Sequence, residues 1–237
     1  MKALILNSGI GKRMGELTRT KNKCMAEIGK DTTILDWQLK MLMKANVCQV
    51  VITTGPFADH LMQYATDRYP GIDFTFCHNP EYDKTNYIYS IALAANALND
   101  DILLMHGDLI FEESVLLDIL NSPDSAMVID KTLALPEKDF KAVVPADKIT
   151  KVGIEFFDNA YAAQPLYKLL KKDWDLWLEN ILNFCDKGNR NVYAENALNE
   201  ISEQVEIYPL DVRGRLCMEV DNLEDLARAV GLMTKYF

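Results

Sequence analysis

Ala3-Leu4-Ile5-Leu6, continuing into Asn7-Ser8-Gly9-Ile10-Gly11-Lys12-Arg13-Met14-Gly15 and then Leu17-Thr18 and Lys23, is the stretch on which the reading of this chain turns. A short apolar run bounded by glycines reads as a buried strand feeding a loop whose backbone can come close to a ligand. Amides freed by the glycines can point inward as an anion-binding nest, and Lys12, Arg13 and Lys23 add positive charge. Such a loop suits phosphate. Two better-known phosphate loops do not fit it: a dinucleotide fingerprint needs glycine where Met14 stands, and a P-loop needs Ser or Thr where Arg13 stands.

Composition narrows the partners. The 237 residues are 49% hydrophobic and 25% charged, ordinary for a globular chain with a full core. With 35 acidic and 25 basic residues the net charge is -10, so a nucleic-acid backbone would be repelled by most of the surface. Any nucleotide has to be met locally, by the basic loop and by metal. Cys24, Cys48, Cys77, Cys185 and Cys217 are odd in number, widely spaced and without a C-x-x-C pair, which suits thiols in a reducing compartment better than disulfides or zinc. The apolar run after Met1-Lys2 is too short for a signal peptide, and no run approaches membrane-spanning length. The expectation is a cytoplasmic protein with neither a membrane nor a nucleic-acid partner.

Along the chain, strands and helices alternate. Periodicity predicts a helix over 33–45, a strand over 49–54 closed by Gly55-Pro56, a helix over 58–68 and a strand over 73–77. Helical crossovers of this size imply a mainly parallel sheet with its crevice at the strands' carboxyl ends. A helix running to about Leu98 has Thr85 and Asn86 at its start, where they can cap it or reach a ligand. The fourth strand, 101–108, delivers Asp108 to the sheet's carboxyl edge, where a hard cation such as Mg²⁺ could bridge protein and phosphate. His106 just before it reads as a packed or hydrogen-bonded residue.

After a helix over 112–120 and a strand over 125–129 the texture changes to short extended runs, 141–144 and 149–152, with 153–157 continuing them. Lys131, Lys141 and Lys151 are the cations here for a second phosphate. The segment 160–183 reads as a helix rich in aromatics, including Tyr161, Tyr167, Trp174 and Trp177, and is followed by Tyr193 and Glu195. Aromatic faces plus a carboxylate can hold an ammonium group, and they can equally be ordinary packing. A returning strand over 205–210 and another over 217–221 lead to a closing helix for which Asp221 is an N-cap candidate.

The opening run resembles the signature L-A-A-G-x-G-x-R-M-x-x-L-T followed by P-K-x-L of the nucleotidyltransferases that join a nucleoside triphosphate to a phosphorylated acceptor. Asn7-Ser8 and Asn22 depart from it. Asn86-Tyr87-Ile88-Tyr89-Ser90 looks like the N-x-x-Y-S of members acting on small phosphorylated amino alcohols. Glu219-Val220-Asp221-Asn222-Leu223-Glu224-Asp225-Leu226 is similar to their E-x-D-(T/N)-x-x-D-L metal segment. The resemblance is nearest to phosphocholine and 2-aminoethylphosphonate cytidylyltransferases.

It implies a Rossmann-like α/β fold, a mainly parallel mixed sheet flanked by helices, as one domain over 1–237. Within it 1–130 would form the nucleotide core, 131–204 a small acceptor-binding extension and 205–237 the return to the core. It implies catalytic roles for Arg13 and Lys23, and nucleotide contacts from Leu6, Asn7, Ser8, Gly9, Gly11, Lys12, Thr85, Asn86 and Ser90. Asp108 and Asp221 would hold Mg²⁺, and Lys141, Tyr161, Tyr193 and Glu195 would bind the acceptor. The implied reaction is transfer of CMP from CTP to a small phosphorylated amino alcohol or aminoalkylphosphonate. Alternatives are a sugar-1-phosphate nucleotidyltransferase and an idle nucleotide-binding domain, and a homo-oligomer is compatible with either.

Overall fold

The computed structural model describes residues 1–236. Strand β1 (Lys2–Asn7) lies at the heart of a nine-stranded sheet, parallel to β4 (Gln49–Thr54) on one side and to β6 (Ile102–His106) on the other. Its side chains alternate between two cores: Ala3 and Ile5 face one, Leu4 and Leu6 the other. Burial on both faces explains the unbroken apolar run.

Between β1 and β4 come two short 3-10 turns, Lys12–Thr18 and Lys23–Met25, a small ribbon of β2 (Glu27–Gly29) and β3 (Thr32–Thr33), and helix α1 (Ile34–Lys44). Helix α2 (Ala58–Arg68) leads to the edge strand β5 (Asp73–His78), and α3 (Tyr87–Ala94) leads back to β6. Strand β7 (Leu109–Phe111) and α4 (Glu113–Leu120) precede β8 (Ser125–Asp130), which pairs in parallel with β12 (Ile207–Asp211).

The region 131–204 contributes to this same sheet rather than to a separate one. Strands β9 (Lys141–Val143), β10 (Lys151–Gly153) and β11 (Ala160–Leu169) extend it in the order β10-β9-β11-β6. The first half of β11 pairs with β9 and its second half with β6, while β8 runs along its opposite edge, all antiparallel. Helices α5 (Lys171–Asp186) and α6 (Ala194–Glu200) then pack with α3 over one face. Ribbon partner β13 (Cys217–Glu219) and α7 (Leu223–Met233) close the chain.

Two expectations are corrected here. The segment 153–157 does not continue the strand, since β10 ends at Gly153. The first part of the expected helix over 160–183 is strand β11, and the helix starts at Lys171. Pro165 is the physical reason: without an N–H and with φ fixed, it would cost a helix interior about 3 kcal/mol. In β11 it falls where the register with β8 shifts between Ala163 and Tyr167, a place where a missing donor is tolerated. The indoles anchor the core instead, Trp174 donating to the Leu98 carbonyl at 2.9 Å and Trp177 to that of Ala194 at 2.9 Å.

Candidate active site

The loop after β1 is held from beneath. Met14 is buried in the core, and the Thr18 hydroxyl donates to the carbonyls of Gly11 at 2.9 Å and Gly15 at 3.3 Å. Gly11 has φ +71°, and a Cβ there would sit 3.0 Å from the Thr18 methyl and 3.2 Å from Lys23 Cβ. Only glycine suits that position. The loop forms one wall of a cleft of about 300 Å³. Leu6, Asn7, Ser8, Gly9, Gly11 and Lys12 line it, with Arg13, Lys23, Thr85 and Asn86.

The departures from the family signature have visible consequences. Ser8 Oγ lies 2.6 Å from Ser90 Oγ, which also accepts from Asn79 Nδ2 at 2.9 Å. Ser90 is fully buried, so it supports the floor of the cleft and does not line it. Asn22, in place of proline, donates from its side-chain amide to the Pro56 carbonyl at 2.7 Å and so ties the approach of Lys23 to the loop after β4. Asn7 crosses over Gly107, where a Cβ would lie 1.7 Å from its Oδ1. We therefore expect Gly107→Ala to displace Asn7 and lower kcat/KM about tenfold, an effect of roughly 1.4 kcal/mol. Adding Asn7→Ala should restore most of the loss, and no recovery in the double variant would show that the clash is not the cause.

Strands β7 and β13 bring the two acidic segments together. Their antiparallel register, Glu219 opposite Leu109, continues as Val220 N–H donating to the Asp108 carbonyl at 2.9 Å, which sets Asp221 beside Asp108. The Lys23 ammonium bridges them, pairing with the Asp108 carboxylate and with Asp221 Oδ1 at 2.7 Å. Arg13 reaches the same Asp221 oxygen at 2.8 Å. Burial opposes the charge on Lys23, but the two carboxylates prevail and hold its pKa above the ordinary lysine value. Asp221 does not cap α7: Asn222 does, accepting from the backbone of Glu224 at 2.8 Å and Asp225 at 3.0 Å. Asp221 is thereby free for the site.

His106 Nδ1 lies 2.8 Å from Glu219 Oε1. We place the shared proton on the imidazole: burial opposes it, but the hydrogen bond and charge of Glu219, with Asp108 and Glu195 nearby, push His106 up to about 9. Ligand-type atoms of His106, Asp108 and Glu219 lie within 4.8 Å of one another, and with the imidazole protonated it is the carboxylates that can take a cation. Asp108 Oδ1 and His106 Nε2 are both buried without a hydrogen-bond partner among the described residues. An orphaned carboxylate oxygen beside other carboxylates is the donor chemistry that a hard divalent cation accepts.

A second cavity of about 360 Å³ shares Asn86 with the first. Tyr193 and Glu195 line it, with Phe140, Glu155, Asn191 and Asn196. Glu195 is buried, its Oε1 accepting from the Tyr167 hydroxyl at 2.9 Å and its Oε2 from that of Tyr87. Asn86 accepts from the Tyr87 backbone at 2.8 Å, so it caps α3 while facing both cavities. Lys141 and Tyr161 line neither cavity. The Lys141 ammonium is buried against the carbonyls of Pro136 at 2.5 Å and Asp139 at 3.1 Å, and the Tyr161 ring lies under the Lys131 ammonium at 5.1 Å.

Sequence reasoning missed Glu155, Glu219 and Tyr87 as site residues. Glu219 carried a signal, since alternate residues of a strand share a face and Glu219 stands two before Asp221. Glu155 carried none.

A parallel-centred sheet with a glycine-rich loop after its middle strand, and two aspartates converging at that strand's carboxyl edge, defines a nucleotidyltransferase of the nucleotide-diphospho-sugar type. The chain belongs to the MobA-like NTP transferase domain family, whose model matches residues 3–195. It is 31% identical over 229 residues to the choline-phosphate cytidylyltransferase of Haemophilus influenzae, covering 95% of this chain and 94% of that one. It is 28% identical over 139 residues to the CTP:phosphoglutamine cytidylyltransferase of Campylobacter jejuni, and 29% over 128 residues to the CMP-5'-(3-aminopropyl)phosphonate synthase of Streptomyces rubellomurinus. Those two matches cover 56% and 54% of this chain but only 53% and 20% of the respective relatives. Among solved structures, the inositol-1-phosphate CTP transferase from T. maritima superposes with a TM-score of 0.81 at 22% identity, covering 99% of this chain and 95% of that one. That likeness is one of fold. No described helix is long and apolar enough to cross a membrane.

Proposed function

We propose that this protein transfers CMP from CTP to a small phosphorylated amino alcohol or an aminoalkylphosphonate, releasing pyrophosphate. The observation that carries the reading is the meeting of Arg13, Lys23, Asp108 and Asp221 at the mouth of a glycine-walled cleft, with a second cavity opening beside it at Asn86. Three relatives support the cytidylyl part by name, through choline phosphate, phosphoglutamine and CMP-aminopropylphosphonate. Five free cysteines among the described residues fit the reducing cytoplasm as its place of work.

The chemistry asks little of the protein beyond placement. The acceptor's oxygen is already anionic and needs no strong base, so catalysis rests on alignment and charge neutralisation around the α-phosphorus. Asp108 and Asp221 would hold Mg²⁺, whose charge would offset that of the phosphates. Lys23 and Arg13 would neutralise the negative charge that develops on the departing pyrophosphate. Lys23→Ala is expected to lower kcat about 10²-fold while changing CTP affinity less than about threefold. Single-turnover rates set beside a CTP titration check this, and a loss confined to affinity would remove Lys23 from the transfer step.

A second reading, transfer to a sugar-1-phosphate, draws on Asn86, Asn191 and Asn196 as hydroxyl-binding groups in the second cavity. Pyrophosphate release with Mg²⁺, each of the four ribonucleoside triphosphates, and either amino phosphates or sugar-1-phosphates decides between them. Turnover only with sugar phosphates would overturn the amino-acceptor reading, and silence throughout would leave an idle nucleotide-binding domain.

A further inference from the structure

We infer that the second cavity recognises an acceptor bearing a primary ammonium group in preference to a quaternary one, with Glu155 as its counter-ion. This takes the cavity to be the acceptor's, as in the reading above, and adds which head group it fits.

The walls decide the matter. A trimethylammonium group has no N–H and is held by the faces of several aromatic rings. The aromatic-rich segment does not supply them: Tyr167, Trp174 and Trp177 are each 0% exposed, and Tyr161 is covered by Lys131. Phe140 is buried and meets Tyr193 edge-on, centroids 5.0 Å apart at 78°. That leaves Tyr193, 38% exposed, as the one open ring face among the cavity's described residues. One ring makes no cage.

What the cavity offers instead is oxygen. A primary ammonium has three N–H donors, and the Glu155 carboxylate and the Asn191 and Asn196 amides stand in the wall to accept them. Of the two carboxylates present, Glu195 is 1% exposed and already shared between two tyrosine hydroxyls, whereas Glu155 is open to a ligand. Glu155 is exposed in the turn after β10 and makes no ion pair or hydrogen bond among the described residues. Its side chain folds back over Gly153, where a Cβ would lie 2.6 Å from Oε2. Lys141 lies close enough to feel its charge, but that ammonium is committed to two carbonyls and to the Phe157 ring, 4.2 Å from its centroid. Glu155 is the free anion facing the cavity.

The test is calorimetric titration of the wild-type protein and Glu155→Gln, with Mg²⁺ and a non-hydrolysable CTP analogue present. The probes are 2-aminoethylphosphonate, its N-trimethyl analogue and ethylphosphonate. The wild type is expected to bind the amine at least about tenfold more tightly than either analogue, and Glu155→Gln to reduce that preference about tenfold. Equal or tighter binding of the trimethyl analogue, a preference unchanged by Glu155→Gln, or no binding of the amine overturns the inference. Pyrophosphate release is followed in parallel to keep the two readings apart. An intact amine preference without turnover would sustain the ammonium site and sink the transfer reading. Greater kcat/KM with phosphocholine or a sugar phosphate would sink the ammonium site and leave transfer standing.

Discussion

Asp108→Asn is expected to lower kcat/KM by about 10³-fold or more, with its thermal midpoint staying within a few degrees of the wild type. The asymmetry follows from what each oxygen of Asp108 does. One pairs with the Lys23 ammonium and the other is buried with no hydrogen-bond partner among the described residues. The amide keeps the shape but removes the negative charge that, in the proposed reaction, would hold a divalent cation. Lys23 keeps its contact with Asp221 at 2.7 Å, so no buried cation is stranded and the fold has little reason to loosen. Pyrophosphate release, Mg²⁺ titration and a melting curve on the same preparation check the three parts. Near-normal turnover would remove Asp108 from the metal assignment, and a collapse in melting temperature would recast it as structural.

What the sequence disclosed about this site, and what it withheld, divides along physical lines. The opening loop was legible because glycines and cations at fixed spacing have few other uses, and in the structure Leu6, Asn7, Ser8, Gly9, Gly11 and Lys12 line a cleft. Strand β11 was not legible by period: it is buried on both faces, Leu166 in one core and Tyr167 and Leu169 in the other, so alternation of polarity vanishes. Pro165 was the available clue. Glu195 and Glu155 show a different limit. Both are carboxylates near aromatics in the wall of one cavity, and only the fold buries the first against two tyrosines and leaves the second exposed. Lys141 likewise reads as an exposed cation until the 136–139 loop wraps its carbonyls around it. A cap is equally a local contest with a tertiary outcome: Asn222 takes the helix, and Asp221 is released to Lys23 and Arg13.

The largest expected loss of stability lies away from the cleft. Asp36→Ala is expected to cost about 4 kcal/mol of unfolding free energy, corresponding to a fall of roughly 10 °C in melting temperature for a chain of this size. Asp36 is fully buried in the first turn of α1. Its Oδ2 accepts from the Thr33 backbone at 2.9 Å, the Thr33 hydroxyl at 2.9 Å and the Tyr64 hydroxyl at 2.6 Å. Its Oδ1 accepts from the Tyr69 hydroxyl at 2.6 Å and meets Arg68 Nε at 3.2 Å. One carboxylate thus closes the capping box of α1 and ties down the end of α2. Alanine would strand those donors together, and each buried donor left unpaired costs about 1–3 kcal/mol.

The same group fixes the sign of a pH effect. Burial would raise the Asp36 pKa, but the hydrogen bonds from Thr33, Tyr64 and Tyr69 outweigh it and hold it below the ordinary aspartate value. Its stabilisation is therefore complete above that value and is lost as pH falls through the folded-state pKa, so the deficit of the variant should shrink in acid. Helix α1 is also the brace of the turn that carries Asp108: the Gln38 side-chain amide donates to the carbonyls of His106 and Leu109, each at 2.8 Å, and the Trp37 indole to that of Phe111 at 2.8 Å. At 15 °C, where the variant is still folded, kcat should remain within about threefold of the wild type, since these braces do not pass through Asp36. Denaturant unfolding at neutral and acid pH, with turnover measured cold, reads all of this together. A loss below about 1 kcal/mol at neutral pH would mean that water replaces the carboxylate and that the helices are held by packing alone.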